Sequence, residues 1–295
     1  MIQTATPDML PQLKSLWQVC FGDSAAGTDF VFGNLLRPEQ ILVQTDESGC
    51  PVAMLCWKPL NFTAPGKTFA GAYIFGVGTL PEHRGKGIST ALLAKTEDIL
   101  RGQGVRVACL VPASENLFGF YRERGFVTQF YYKLLRVSRE EIPAPRRKGR
   151  LHPTSLVKFA AQRDRVFNYD TLFGAWDNDY LRYTAAECRF WGGEVLRFTR
   201  TNQYPGYAVC YPDGKGGILV KETTVTGSQL DCFLAALYKR FGAQSYQLRL
   251  PVDYPLGDSR SSCTLPFAMT KWYYKEDALT ANFGDAPWFA FGLDS

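Results

Sequence analysis

One stretch limits what this chain can fold into more than any other. Tyr73-Ile-Phe-Gly-Val-Gly-Thr-Leu-Pro-Glu-His-Arg-Gly-Lys-Gly-Ile-Ser-Thr-Ala-Leu-Leu93 runs from an apolar strand, through a glycine-rich corner, into an amphipathic helix. Any fold that holds it must join strand to helix by a tight turn carrying Arg84, Gly85, Lys86 and Gly87. The first amides of a helix have no intrahelical partner, and the helix dipole favours anions there. Glycines let a phosphate approach the backbone closely, and Arg84 and Lys86 add positive charge. The corner reads as a phosphate or pyrophosphate cradle. Its plain alternative is a glycine-rich surface turn before an ordinary helix.

The spacing sets aside two other phosphate loops. A G-x-x-x-x-G-K-[ST] loop needs Gly and Ser or Thr where Leu80 and Gly87 stand, so its Mg²⁺ ligand is missing. A G-x-G-x-x-G fingerprint fails too, because Gly76-x-Gly78 lies inside a strand and Pro81 stands at the third glycine. The strand also closes an antiparallel meander. Ile41–Gln44, Pro51–Phe62 and Thr68–Leu80 are its expected strands, with turns at Glu47-Ser48-Gly49 and Pro65-Gly66-Lys67. Before it, Thr6 and Pro7 mark a helix start, and Leu10, Leu13, Trp17 and Cys20 share one helical face. A second helix is expected over Thr28–Leu36. After the corner come helix Ile88–Arg101, strand Val105–Val111, helix Glu115–Arg124 and strand Phe126–Val137.

A length of 295 residues favours two domains, at about 100–200 residues each. Ser138–Pro153, with its prolines and Arg146-Arg147-Lys148, reads as a linker. Beyond it the order recurs: helices over Thr154–Tyr169 and Asp177–Phe190, then strands Glu194–Thr201, Tyr207–Tyr211 and Gly217–Val225. Helix Ser228–Phe241 and strands Tyr246–Val252, Phe267–Tyr274 and Trp288–Leu293 complete it. The expected division is a first domain over 1–138, a linker over 139–153 and a second domain over 154–295.

Several function classes fall away. No apolar run reaches the ~18 residues of a membrane span, and no basic-then-apolar leader opens the chain, so a cytoplasmic protein without a membrane partner is expected. A net charge of +5 does not mark a nucleic-acid binder, so no nucleic acid is expected. The eight cysteines form no C-x-x-C pair and read as buried free thiols. His83 and His152 are the only histidines, which argues against a zinc site or a His-based triad; no metal is expected.

The pattern V-x-x-L-P-E-H-R-G-K-G-I-x-x-x-L-L over Val77–Leu93 resembles the acyl-CoA signature of the GNAT acetyltransferase superfamily. Arg84, Gly87 and Ser89 fill its R-x-x-G-x-[GA] core, with Ser89 a small-for-small departure. A second block resembles N-x-x-x-F-Y-x-x-x-G-F, filled by Asn116, Phe120, Tyr121, Gly125 and Phe126. Tyr73–Pro81 and the doubled organisation are similar to Eis-type acetyltransferases, whose further sterol-carrier-like domain this length does not accommodate. The second half has Thr226-Gly227-Ser228 in place of the signature, so a single acetyl-CoA site is expected.

The resemblance implies a GNAT fold of the α/β (α+β) class: a mixed, mostly antiparallel sheet with flanking helices, followed by a degenerate GNAT-like copy. It implies an acetyl-CoA-dependent N-acetyltransferase that passes acetyl directly to a primary amine of a small molecule or peptide. Val77, Gly78 and Thr79 would hold the pantetheine and thioester. The amides of Arg84, Gly85, Lys86, Gly87, Ile88 and Ser89 would take the pyrophosphate. Tyr121 is the expected general acid for the leaving thiolate, a phenol of ordinary pKa about 10; read alone it is a core tyrosine beside Phe118 and Phe120. Asn116 either contacts the cofactor or caps its helix.

No general base is visible. Tyr73–Thr79 holds no carboxylate, and Asp29, Glu39, Asp46 or Glu47 serve only if folding brings one near. His83 reads as a solvent-facing turn residue. Tyr169, Phe173, Trp176 and Tyr180 either line an acceptor cleft or form the second domain's own core. The missing base keeps open a catalytically weak acyl-CoA-binding regulatory protein, and transfer of another acyl group also remains. Both a monomer and a homodimer fit.

Overall fold

A computed structural model describes residues 1–145, 148–167, 171–257, 260–281, 284 and 286–289. Strand β1 (Ile2–Thr4) leads to a 3-10 turn at Pro7–Met9 and helix α1 (Leu10–Phe21), which Gly22 ends in the left-handed region. The Ser24 hydroxyl caps α2 (Ala25–Asn34) by accepting from the Gly27 amide at 3.1 Å. The meander is β2 (Ile41–Thr45), β3 (Pro51–Ala64) and β4 (Lys67–Thr79). Then follow α3 (Ile88–Gly102), β5 (Val107–Leu110), α4 (Glu115–Arg122) and β6 (Val127–Ser138). The second half holds β7 (Arg150–Pro153), α5 (Leu156–Phe167), β8 (Phe173–Gly174), α6 (Asn178–Phe190), β9 (Glu194–Thr199), β10 (Gly206–Pro212) and β11 (Ile218–Thr223). It ends with α7 (Leu230–Phe241), β12 (Ser245–Leu250), β13 (Ser262–Trp272) and α8 (Lys275–Thr280). Most of the expected strand over Trp288–Leu293 lies outside the described residues, as does Tyr169.

Two compact units divide the chain, and neither is continuous in sequence. The first takes Met1–Phe62, Thr68–Val127 and Met269–Thr280; the second takes Thr63–Lys67, Thr128–Ala268 and the chain from Ala281. In the first unit the strands lie in the order β1-β2-β3-β4-β5, and Met269–Trp272 of β13 pairs antiparallel outside β5. In the second the order is β7-β9-β10-β11-β12-β6. Each has one parallel pair, β4 with β5 and β11 with β12, because a helix (α3 or α7) crosses over between those strands. The two sheets thus repeat one topology, and each takes its sixth strand from the other half of the sequence.

This corrects the expected boundaries. Residues 128–138 do not close the first unit: β6 pairs with β12 through Val137↔Tyr246 and Leu135↔Leu248. Leu135 and Val137 are buried in the core that Val220, Phe233 and Leu237 build under α7. Nor is 139–153 a bare connector, since Arg150–Pro153 is a strand on β9. Of the basic cluster there, Arg146 and Arg147 lie outside the described residues.

Apolar faces explain the layers. In the first unit, Leu13, Trp17 and Phe32 of α1 and α2 pack on Val43, Met54 and Cys56. On the opposite face, Leu92, Leu93 and Leu100 of α3 pack with Leu55, Ile74 and Ala108. The second unit buries an ion pair. Arg163 donates from Nε to Glu222 Oε1 at 2.7 Å, and the Trp288 indole donates to the same oxygen at 2.9 Å. The rings of Trp176, Phe173 and Phe167 lie around that guanidinium. Phe173 and Tyr180 are buried, and Trp176 packs on Phe159 and Tyr180, so these aromatics build the second unit's own core. Five cysteines (Cys56, Cys109, Cys188, Cys210 and Cys232) are buried and free; Cys50 and Cys263 are exposed.

Candidate active site

The site begins where β4 and β5 stop pairing. Their parallel ladder runs from Gly71↔Val107 to Tyr73↔Cys109, and β5 ends at Leu110 while β4 continues to Thr79. Ile74–Thr79 therefore extend past the β5 ladder, an open strand edge that an extended ligand can use. Glycine is needed on this segment because α1 lies against it. A Cβ on Gly76 would stand 2.6 Å from the Trp17 ring, and one on Gly78 3.1 Å from the Cys20 sulfur. Gly76 also has φ +59°, in the left-handed region.

At the end of β4 a 3-10 turn, Pro81–His83, delivers the chain to the corner. Gly85 (φ +74°) and Gly87 (φ +76°) are left-handed, and open space surrounds both, so conformation rather than crowding requires glycine there. Gly87 is the N-cap of α3, and the first helical bond is from the Ala91 amide to the Gly87 carbonyl at 3.0 Å. Among the described residues, nothing accepts from the amides of Gly85 to Thr90. Six consecutive donors therefore stand unengaged at the positive end of a helix dipole. Arg84 donates from Nε to the Thr79 carbonyl at 3.0 Å, and the Thr79 and Ser89 hydroxyls are 3.1 Å apart, tying strand end to helix start.

A cavity of about 330 Å³ fronts these amides, lined by Thr79, His83, Arg84, Gly85, Gly87, Ile88, Ser89, Thr90, Phe120 and Arg124. It brings together most of the residues expected to hold the phosphates. Lys86 is exposed and does not line it, and Val77 packs instead with the α3 and α4 core. Asn116 is exposed at the second residue of α4, whose cap position is Ser114, so the capping alternative falls away. His83, read as solvent-facing, stands on the cavity wall.

Tyr121 does not line this cavity. It is buried on α4, with Phe120 at 5.1 Å and Phe126 at 5.9 Å between ring centroids. Burial pushes its phenol up to about 12, and the nearby Arg124 cation offsets this only in part. None of the carboxylates considered as a base lines the cavity either. Asp29 is paired with Lys14 at 2.6 Å on the surface, and Asp46 accepts from the Ser48 and Cys50 amides of the β2–β3 turn. Glu39 and Glu47 are exposed.

Sequence reasoning missed Arg124. It follows α4, four residues after Phe120, and its guanidinium lies over the Phe120 ring at 3.5 Å from the centroid. Nε and one terminal nitrogen donate to Thr90 Oγ1 at 3.0 and 2.7 Å, and the other terminal nitrogen donates to the Phe120 carbonyl at 2.5 Å. The only signal was a basic residue at helical spacing from an aromatic one.

Residues 1–128 match the family model of the acetyltransferase (GNAT) domain. Several solved structures share the fold over nearly the whole chain. A probable N-acyltransferase from Enterococcus faecalis V583 is 17% identical with a TM-score of 0.73, covering 95% of this chain and 74% of that one. A GCN5-related N-acetyltransferase from Anabaena variabilis is 16% identical with a TM-score of 0.75, covering 96% and 75%. Eis1 from Mycobacterium abscessus is 17% identical with a TM-score of 0.69, covering 96% and 76%. No curated protein matches the chain in sequence. Residues 1–128 are thus a GNAT acetyltransferase domain. Beyond that domain the likeness to the solved structures is one of fold, and it runs over nearly the whole chain.

Proposed function

We propose that this chain is an acetyl-CoA-dependent N-acetyltransferase that transfers acetyl directly to a primary amine of a small molecule or peptide. The observation that carries this reading is the run of unengaged amides from Gly85 to Thr90, fronted by a cavity at the end of an unpaired strand edge. Those amides suit a pyrophosphate, and the edge of β4 suits the amide-bearing pantetheine arm. The co-substrate supplies an activated thioester. Transfer forms the new C–N bond, breaks the C–S bond, sends the amine proton to solvent and leaves a thiolate to be protonated.

The chain's own contribution is position and polarity. Holding both reactants along β4 makes the attack effectively unimolecular. Amides of Val77 and Gly78 support the thioester oxygen as it gains negative charge, a type of contact worth about 2.7–4 kcal/mol. Tyr121, a phenol protonated at neutral pH and pushed up to about 12 by burial, donates to the departing sulfur.

The test is thiol release by the full chain from acetyl-CoA across a panel of primary amines. Amine-dependent release is expected. Tight CoA binding without turnover on any amine would favour an acyl-CoA-binding regulatory protein, which the lack of a carboxylate on Tyr73–Thr79 supports. Failure to bind CoA at all would overturn the reading.

A further inference from the structure

We infer that Arg124 is the residue that reads the 3′-phosphate of the co-substrate and so makes the site selective for the 3′-phosphorylated form; this rests on the acetyl-CoA reading above. The cavity fronting the open amides has two sides. Thr79 and Arg84 line it from the end of β4 and the turn that follows; Thr90, Phe120 and Arg124 line it from α3, from α4 and from just beyond α4. With the pyrophosphate on the amides and the pantetheine on β4, the nucleoside must leave across that second side. The one phosphate beyond the pyrophosphate is a monoester, close to dianionic at neutral pH.

Arg124 is built to receive it. Of the five N–H donors of a guanidinium, three are spent on Thr90 and on the Phe120 carbonyl, which leaves two. The plane is held by those bonds and by the Phe120 ring, so little side-chain freedom is lost on binding. The side chain is 22% exposed, enough to reach a ligand while partly shielded from solvent. Among the described residues its one ion-pair partner is Glu123, 3.5 Å away and 79% exposed, so the pair is weak and displaceable. Nothing in the phosphate signature itself demands an arginine here, because the pyrophosphate is served by backbone.

The experiment measures CoA and 3′-dephospho-CoA binding to the full chain, by calorimetry, in the native protein and in Arg124→Gln and Arg124→Lys. The native chain is expected to prefer CoA by about tenfold or more, in line with a charge-assisted bond in a partly shielded site. Arg124→Gln is expected to bind both forms alike, at the native chain's affinity for 3′-dephospho-CoA, and Arg124→Lys to recover part of the preference. Equal native affinity for the two forms would overturn the inference while leaving the acetyl-CoA reading intact. Equal weakening of both forms in Arg124→Gln would also overturn it, placing the arginine on the pyrophosphate or adenine. Binding of neither form by the native chain would sink the acetyl-CoA reading itself. If Arg124→Gln fails to fold, Arg124→Lys carries the test: a preference below the native chain's supports the inference, and a preference equal to it overturns it.

Discussion

The corner between β4 and α3 and the corner between β11 and α7 occupy the same place in two copies of one topology, yet they treat their helix N-termini in opposite ways. At the first, two left-handed glycines swing the chain clear, and the amides from Gly85 to Thr90 are left to the outside. At the second, a 3-10 turn over Gly227–Gln229 leads into α7, and Thr226 and Gln229 form a capping box on that turn, with the Gln229 side chain accepting from the Thr226 amide and donating to the Tyr204 carbonyl. Gln229 is buried, and a Cβ on Gly227 would run into the Pro255 carbonyl. The first corner leaves its amides unengaged; the second carries a capped turn that Pro255 covers. The two corners therefore differ in how the turn before the helix spends its donors, not in strand order.

The largest expected effect tests whether the open corner serves chemistry or only binding. Tyr121→Phe should lower the rate of CoA release about 100-fold or more, the range of a lost general acid, with CoA affinity unchanged. The pH profile sharpens it. A general acid works while protonated, and this phenol stays so until about pH 12, so no alkaline fall below pH 10 should come from it. A native rate that falls between pH 8 and 10 at saturating amine, with that fall absent in Tyr121→Phe, would contradict the assignment. Next in size, Gly87→Glu should weaken CoA binding by about 10- to 100-fold. It sets a negative charge beside the open amides and forces a side chain into a left-handed position costing about 1–2 kcal/mol. Unchanged affinity would remove the cradle from the site.

Local chemistry made much of this legible and left the rest hidden for a definable reason. The meander, the glycine corner and α3 show in residues 41–101 because alternation, turn residues and helical spacing are short-range signals. The crossing of β6 and β13 between units does not show. Leu135 and Val137 announce a buried strand, but burial carries no label for the sheet that receives it. Arg150–Pro153 looked like connector because an edge strand of four residues holds a proline and few apolar side chains. At the site, the glycines and Arg84 were readable because their role lies in the backbone. Arg124 was not, because its meaning comes from Thr90, a residue 34 positions away.

The smaller predictions address the sealed corner. Gly227→Ala should lower stability by about 1–3 kcal/mol, since the added methyl meets backbone that cannot turn aside. CoA affinity should not change, and calorimetry should give one CoA per chain. Two sites per chain would break the comparison outright. Thr226→Ala should cost about 1 kcal/mol, the usual loss for an N-cap hydroxyl, read as a lower denaturant midpoint at constant m-value. The contrast with the first corner is the informative part. Removing Thr226 uncaps the 3-10 turn before α7, yet Pro255 still stands over Gly227, so no anion site should open there. If Thr226→Ala gained a second CoA or inorganic phosphate site, capping alone would have closed that corner. If it did not, the covering by Pro255 is the stronger barrier, and the two corners differ in their loops as much as in their caps.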